Sequence, residues 1–429
     1  MKRLYLLFML IFLMLIAVGC NGNADPSSSE TDSDTTKVTF SYWGGGDFDK
    51  KRMEAINEEF KKVHPEIEVE LVNLPDGEEY SQKQTVMMSA KTPYDVIQFA
   101  EESYQFASRG VLEDLTPYIE EDGLDLDQFY PVAIDAYTHD GKVYGLPLRV
   151  GSVIMLYNKD LFDQHDLEYP NENWTWDDVV KAGEKIANPE EGIFGMNPIG
   201  GWWASTSQTL QSFGGGVLNE EKDAFHLDSP PESRKAIEFM KEVTWDKDIA
   251  PSSTQIPEGI DLWTSGKIAM MIDGPWHILS SQANIKEFDW DMTTAPAGSQ
   301  DATPIFSNAF HMAKDSKVKD AAWEVIKFWT GEEAQKILAQ EHGDTPTNKE
   351  IAESDLYLDL GGKAPENFEM MLTSLEGAYP PQVTSEWGGE INRIVQEGMS
   401  KMVDLDQPIE EVMPGVKSEV EALLQKLKD

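Results

Sequence analysis

Lys37-Val38-Thr39-Phe40-Ser41-Tyr42-Trp43 alternates, with Val38, Phe40 and Tyr42 on one side, the period-two pattern of a strand. Gly44-Gly45-Gly46 breaks the pattern. Asp47 can then cap a helix that carries Met53, Ile56, Phe60 and Val63 on one face and ends at His64-Pro65. Ile67, Val69 and Leu71 alternate again, a helical stretch runs from near Glu79 to Ala90, and Tyr94-Asp95-Val96-Ile97-Gln98-Phe99-Ala100 reads as a buried strand. The order strand, helix, strand, helix, strand implies an α/β fold whose parallel sheet is covered on both faces. Ligands of such sheets sit at the carboxyl ends of the strands, here Trp43 to Asp47 and Ala100 to Tyr104.

Towards the C-terminus, Val143 to Leu148 and Ser152 to Tyr157 read as strands, with Arg149-Val150-Gly151 as a crossing point into a second lobe. That lobe is expected to hold a helix from Thr175 to Ala187, capped by Thr175 with Asp178 three residues on. It also holds the Gly-Trp-rich stretch at 200–216 and a strand from Lys267 to Ile272. Thr303 to Met312 reads as another strand, followed by a helix burying Ala322, Val325, Ile326 and Trp329. The last stretch is helical: Ile391, Ile394, Val395 and Met399 share one face, and Val416, Val420, Leu423 and Leu427 another.

Towards the N-terminus, Lys2 and Arg3 precede an apolar run from Leu4 to Val18, and small residues lead into Cys20. This is the pattern of a secretory signal, expected over residues 1–19. Ile16-Ala17-Val18-Gly19-Cys20 resembles a bacterial lipobox, which implies a lipid anchor on Cys20, the sole cysteine, and a place on the extracytoplasmic face of the cell membrane. Residues 20–36 are the expected tether. Asn21 to Thr36 has no large apolar residue to offset its ordering entropy, and as flexible chain it reaches roughly 20–25 Å.

The ~390 residues that remain exceed one usual core, so two domains are expected. The formal net charge is −42, and without Lys2 and Arg3 the chain has 33 basic residues against 77 acidic. This balance argues against nucleic acid and anionic lipid as partners. No histidine pair has metal-ligand spacing, no Gly-x-Ser-x-Gly elbow occurs, and the glycine run at 44–46 lacks the Gly-Lys-Ser/Thr of a P-loop. No cofactor, metal or catalytic residue is assigned, and the chain is not read as an enzyme. Twelve tryptophans stand out. Trp43, Trp202, Trp203, Trp276 and Trp387 lie beside glycines in expected loops, whereas Trp174, Trp176, Trp245, Trp290, Trp323 and Trp329 suit core positions. An indole offers a flat apolar surface to the C–H face of a sugar ring, and carboxylates and amides take its hydroxyl rim.

Asp261-Leu262-Trp263-Thr264-Ser265-Gly266-Lys267-Ile268-Ala269-Met270-Met271-Ile272-Asp273-Gly274-Pro275-Trp276 resembles the F-x-x-G-K-x-A-M-x-x-x-G-P-W signature of bacterial extracellular solute-binding proteins of family 1, the sugar-binding group that includes maltose-binding protein. Tyr144-Gly145-Leu146-Pro147, Met155 to Phe162, Asn173 to Asp178, Asn308 to Met312 and Gly343 to Thr347 match in the same order. The resemblance implies a two-lobed periplasmic-binding-protein fold of the class II type. Residues 37–150 with 303–347 would form the N-terminal lobe, and 151–302 with 348–429 the C-terminal lobe. It implies a monomeric receptor that closes on a carbohydrate and delivers it to the permease subunits of an ABC importer. Trp43, Asp47 and one or both of Glu101 and Glu102 would line one wall, Trp203, Asp273 and Trp276 the other, with Tyr104, Trp202, Asn308 and Trp387 as further ligand contacts. A sugar-active hydrolase, a surface adhesin and a polyamine receptor of the same fold are the competing readings.

Overall fold

The computed structural model describes residues 35–44, 47–75, 77–100, 102–381 and 387–427. The expected signal segment, Cys20 and nearly all of the tether lie outside them. Strand β1 (Thr36–Trp43) runs parallel to β2 (Ile67–Leu74), from Thr36 opposite Ile67 to Trp43 opposite Leu74, and parallel on its other side to β3 (Val96–Phe99). The expected parallel unit is therefore present, with β1 in its middle. The helix Asp47–Val63 buries Met53, Ile56 and Phe60. Val63 is 59% exposed, so the apolar stripe stops a turn earlier than its spacing suggests, where Lys61 and Lys62 face water.

A hairpin of β4 (Thr138–His139) and β5 (Lys142–Val143) leads into β6 (Gly145–Ser152). This strand does not break at Arg149-Val150-Gly151. It stays paired with β11 (Ile305–Met312) from Gly145 to Ser152, and the chain passes to the other sheet at Val153. With β12 (Thr345–Pro346) on the outside of β6, the first sheet has the order β12-β6-β11-β3-β1-β2, and β11 runs antiparallel to both its neighbours. Phe40 meets Phe310 at 5.0 Å and Trp329 at 5.6 Å, both edge-on, the favoured geometry for ring quadrupoles. The helix Lys319–Thr330 buries Ala322, Val325, Ile326 and Trp329 against this sheet, as its periodicity requires.

The second sheet has the order β10-β7-β9-β8, built from β7 (Ile154–Asn158), β8 (Phe194–Met196), β9 (Ile268–Asp273) and β10 (Trp290–Thr294). The helix Trp176–Ile186 starts at the expected capping box: Thr175 Oγ1 donates to Asp178 Oδ2 at 2.7 Å, and so does the Thr175 amide at 3.1 Å. Its Gly183 lies so close to β8 that a Cβ on Gly195 would stand 2.4 Å from the Gly183 Cα. The helices Gly388–Met399 and Ile409–Lys426 close the same core with Ile391, Ile394, Val395, Met399, Val416, Val420 and Leu423. Leu427 stays outside, at the frayed end of the last helix. Trp176, Trp290, Trp323 and Trp329 are buried, and Trp174 packs against the second core. Trp245 departs from expectation: it is 37% exposed, its indole N–H spent on the Val403 carbonyl at 2.7 Å. Among the described residues no helix is long and apolar enough to cross a membrane.

Candidate ligand-binding cleft

The carboxyl ends of β1 and β3, the middle of β6 and β11, and two helix starts of the second lobe surround a cavity of about 980 Å³. Trp43 closes one side, edge-on to Tyr80 at 5.0 Å. Tyr80 is buried, and its hydroxyl donates to the Gln98 carbonyl at 2.8 Å. Burial pushes that phenol far above its ordinary range, so the ring is a fixed, neutral wall.

Glu102 also lines the cavity, at the start of the helix Ser103–Ser108. Desolvation pushes its carboxyl up to about 6, against hydrogen bonds from the backbone. The raised value has a consequence for stability. Below the ordinary value of 4.5 the group is neutral whether folded or unfolded. Between 4.5 and about 6 the folded chain holds the extra proton, so stability falls as pH rises through that window and stays lowered above it. Removing the charge relieves a cost of about 1–2 kcal/mol. Glu102→Gln is therefore expected to raise the melting temperature of the ligand-free protein at pH 7.5 by about 1–3 °C and to leave it unchanged at pH 4. Scanning calorimetry at the two pH values checks this, and a gain of equal size at both would rule out the charge as its origin.

Across the second lobe Trp202 caps, and Trp203 opens, the helix Trp203–Ser212, while Trp276 opens the helix Trp276–Asn284. All three reach the cavity. Trp276 remains 43% exposed and lies flat over Gly274, where a Cβ would come within 2.1 Å of the indole. Trp202, Trp276 and Phe306 form a closed triangle of rings, with centroids 4.9 Å (Trp202–Trp276), 5.5 Å (Trp202–Phe306) and 5.2 Å (Trp276–Phe306) apart. Phe306 comes from β11 of the first sheet and was not singled out from the sequence. The signal was present: it stands two residues from Asn308 on one strand, hence on the same face. Its ring fills the space above Gly151 of β6, where a Cβ would lie 2.6 Å from it.

The floor is ionic. Arg149 Nη1 donates to Asp344 Oδ2 at 2.5 Å and to Asp49 Oδ1 at 3.3 Å. Arg52 donates through Nη1 to the same Asp49 oxygen at 2.8 Å and through Nε to Glu341 Oε2 at 2.7 Å. Burial works against the charge of Arg149, but Asp344 and Asp49 outweigh it and hold the guanidinium protonated. Burial also raises the Glu341 carboxyl against the pull of Arg52. The pairing of β6 with β11 shifts register here: Asn308 faces Arg149, and Ala309 faces Pro147. Such a bulge turns a side chain out of the regular alternation, and both Arg149 and Asn308 line the cavity. Asn308 Oδ1 accepts from Gln98 Nε2 at 3.3 Å. These five charged residues come from distant parts of the chain, and no sequence pattern links them.

The other expected site residues sit elsewhere. Tyr104 packs edge-on against His139 at 4.2 Å. Asp273 accepts from the Gly274 amide at 2.7 Å and lies 3.3 Å from His277 Nε2, so it braces the turn into the helix that Trp276 begins. Trp387 is held between Arg109, 5.7 Å from its ring centroid, and Lys426, 4.6 Å from it, against the second core. None of the three lines the cavity. The side chain of Asp47, and Glu101 altogether, lie outside the described residues. Among the described residues no group of three or more His, Cys, Asp or Glu is arranged to hold a metal ion. The cavity thus offers flat aromatic faces beside fixed donors and acceptors.

The family model described as bacterial extracellular solute-binding protein matches residues 42–336. The maltotriose-binding protein of Pyrococcus abyssi is 25% identical over 393 residues, which cover 88% of this chain and 78% of that relative. The arabinooligosaccharide-binding protein of Bacillus subtilis is 23% identical over 399 residues, covering 87% and 88%. Among solved structures, an ABC substrate-binding protein of Listeria monocytogenes in complex with cycloalternan is similar at a TM-score of 0.84 and 27% identity, covering 91% of this chain and 100% of that one.

Proposed function

The chain belongs to the bacterial extracellular solute-binding protein family, and from that premise we propose that its cleft captures an oligosaccharide and delivers it to an ABC importer. The observation that carries this reading is the ring triangle of Trp202, Trp276 and Phe306 in one cavity with Trp43 and Glu102. Indole faces take the apolar faces of sugar rings, and Glu102, Asn308 and the floor ions take hydroxyls. A cavity of about 980 Å³ lies at the upper end of the ~300–1,000 Å³ range of ligand pockets, which favours several sugar rings over one. The relatives named for maltotriose and arabinooligosaccharide support the same class. The lobes are assigned as residues 37–150 with 303–347 and 151–302 with 348–429. Ligand touching both stabilises the closed arrangement by its differential affinity. The protein acts as a monomeric receptor without catalysis, anchored by lipid at Cys20.

A thermal-shift screen with maltotriose, cellotriose, arabinotriose and cycloalternan, and with spermidine beside them, tests the reading. Stabilisation by an oligosaccharide is expected. Stabilisation by spermidine alone would favour the rival class, which also uses aromatic rings and carboxylates. Mass analysis of the N-terminus tests the anchor: an unmodified Cys20 in membrane-associated protein would refute it.

A further inference from the structure

We infer that the cleft sorts saccharides by charge, accepting neutral ones and rejecting counterparts that carry a carboxylate, with Arg149 and Asp344 as the specificity-determining pair. The inference rests on the oligosaccharide reading and narrows it. Among the described residues that line the cavity, Arg52 and Arg149 are the only arginines and there is no lysine. Both guanidinium groups are already matched by protein carboxylates: Arg149 by Asp344 and Asp49, Arg52 by Asp49 and Glu341. Among the described residues four carboxylates line the cavity, namely Asp49, Glu102, Asp261 and Asp344. Asp261 is spent on the backbone amides of Trp263 and Thr264, at 2.9 and 3.1 Å, and has no cationic partner among the described residues. His277 also lines the cavity, and its ring faces Asp273 at 3.3 Å. The lining therefore carries an excess of negative charge, in a partly desolvated site where screening by salt is weak.

Among the described residues, a carboxylate entering this cleft meets no cation without a carboxylate partner. To pair with Arg149 it must displace Asp344 or Asp49, and either then becomes an unpaired carboxylate out of water. A neutral hydroxyl faces no such exchange. Among the described residues Arg149 uses only Nη1 in its ion pairs, which leaves Nε and Nη2 as donors. The carboxylates beside it retain lone pairs. A sugar hydroxyl both donates and accepts, so one arginine–carboxylate pair serves both of its needs. Rejection here comes from a repulsive element built into the site rather than from a missing contact.

The test is titration calorimetry on the wild-type protein at pH 7.5 with maltotriose and cellotriose, each as the neutral sugar and as a derivative with one C6 carboxylate. The carboxylated forms are expected to bind at least ~100-fold more weakly. Asp344→Asn releases one face of Arg149 and is expected to narrow that ratio about tenfold or more. Asp49→Asn is the second variant, for which the same direction is expected, should the first not fold. Equal affinity for the neutral and carboxylated forms in the wild type would overturn the inference, as would a ratio that neither variant moves. Absence of binding by every neutral sugar is a separate result: it would overturn the oligosaccharide reading and this inference with it.

Discussion

Replacing Trp276 by alanine lowers oligosaccharide affinity by about 2 kcal/mol or more, roughly thirtyfold. The indole is 43% exposed into the cavity although it packs on Gly274, Trp202 and Phe306. Its position is thus set before ligand arrives, and little side-chain entropy is lost on binding. The variant removes the sugar-facing surface and also the third member of the ring triangle. Trp276→Phe should recover part of the loss, because a smaller ring still reaches the same corner. Trp245→Phe, at a residue that does not line the cavity, is the control. Titration calorimetry with the sugar that gives the largest thermal shift reads all three. Affinity within twofold of wild type for Trp276→Ala would remove the residue from the binding surface.

The second large effect is on stability. Among the described residues, Arg149→Met takes away the only cation paired with Asp344 and one of the two paired with Asp49. Breaking a buried pair by deleting one partner costs about 3–5 kcal/mol, since the remaining charge stays out of water. The variant should unfold at clearly lower denaturant at pH 7.5. A loss below about 1 kcal/mol would show that the floor ions are solvated and structurally idle. The methionine variant also separates charge from packing, because its side chain retains much of the arginine stem.

How far the molecule could be read from its residues depends on how local each cause is. The β1–β2–β3 unit was legible because Val38, Phe40, Tyr42 and Ile67, Val69, Leu71 write their burial into a period of two. The capping box at Thr175 and Asp178 was legible for the same reason, its partners being three residues apart. The passage at Val153 was not. Arg149 to Ser152 carry a glycine and two polar side chains, yet they remain strand because Ile305 to Asn308 and Thr345 pair with them from far along the chain. The two-residue β12 carries no pattern at all. At the site, placing tryptophans next to glycines located loops but could not orient side chains. Trp43, Trp202, Trp203 and Trp276 reach the cavity, while Trp387, with the same local context, is captured by Arg109 and Lys426. The ion floor was invisible for the opposite reason: Asp49, Arg52, Arg149, Glu341 and Asp344 have ordinary local settings, and only tertiary pairing makes them a unit.

The position of β11 also governs when the molecule can first exist. It is an interior strand of the first sheet, between β3 and β6, yet it is supplied by Ile305–Met312, and the sheet is finished only by Thr345–Pro346. While the chain is being made, β3 and β6 each wait with an open edge for a partner roughly two hundred and one hundred and fifty residues downstream. Open edges of this kind invite wrong pairing with neighbouring chains, and long-range strand closure is slow. The same delay keeps the growing polypeptide free of a finished lobe until most of it has emerged. For a chain whose family works outside the cytoplasm, that delay would matter wherever the polypeptide must cross a membrane before its lobes close.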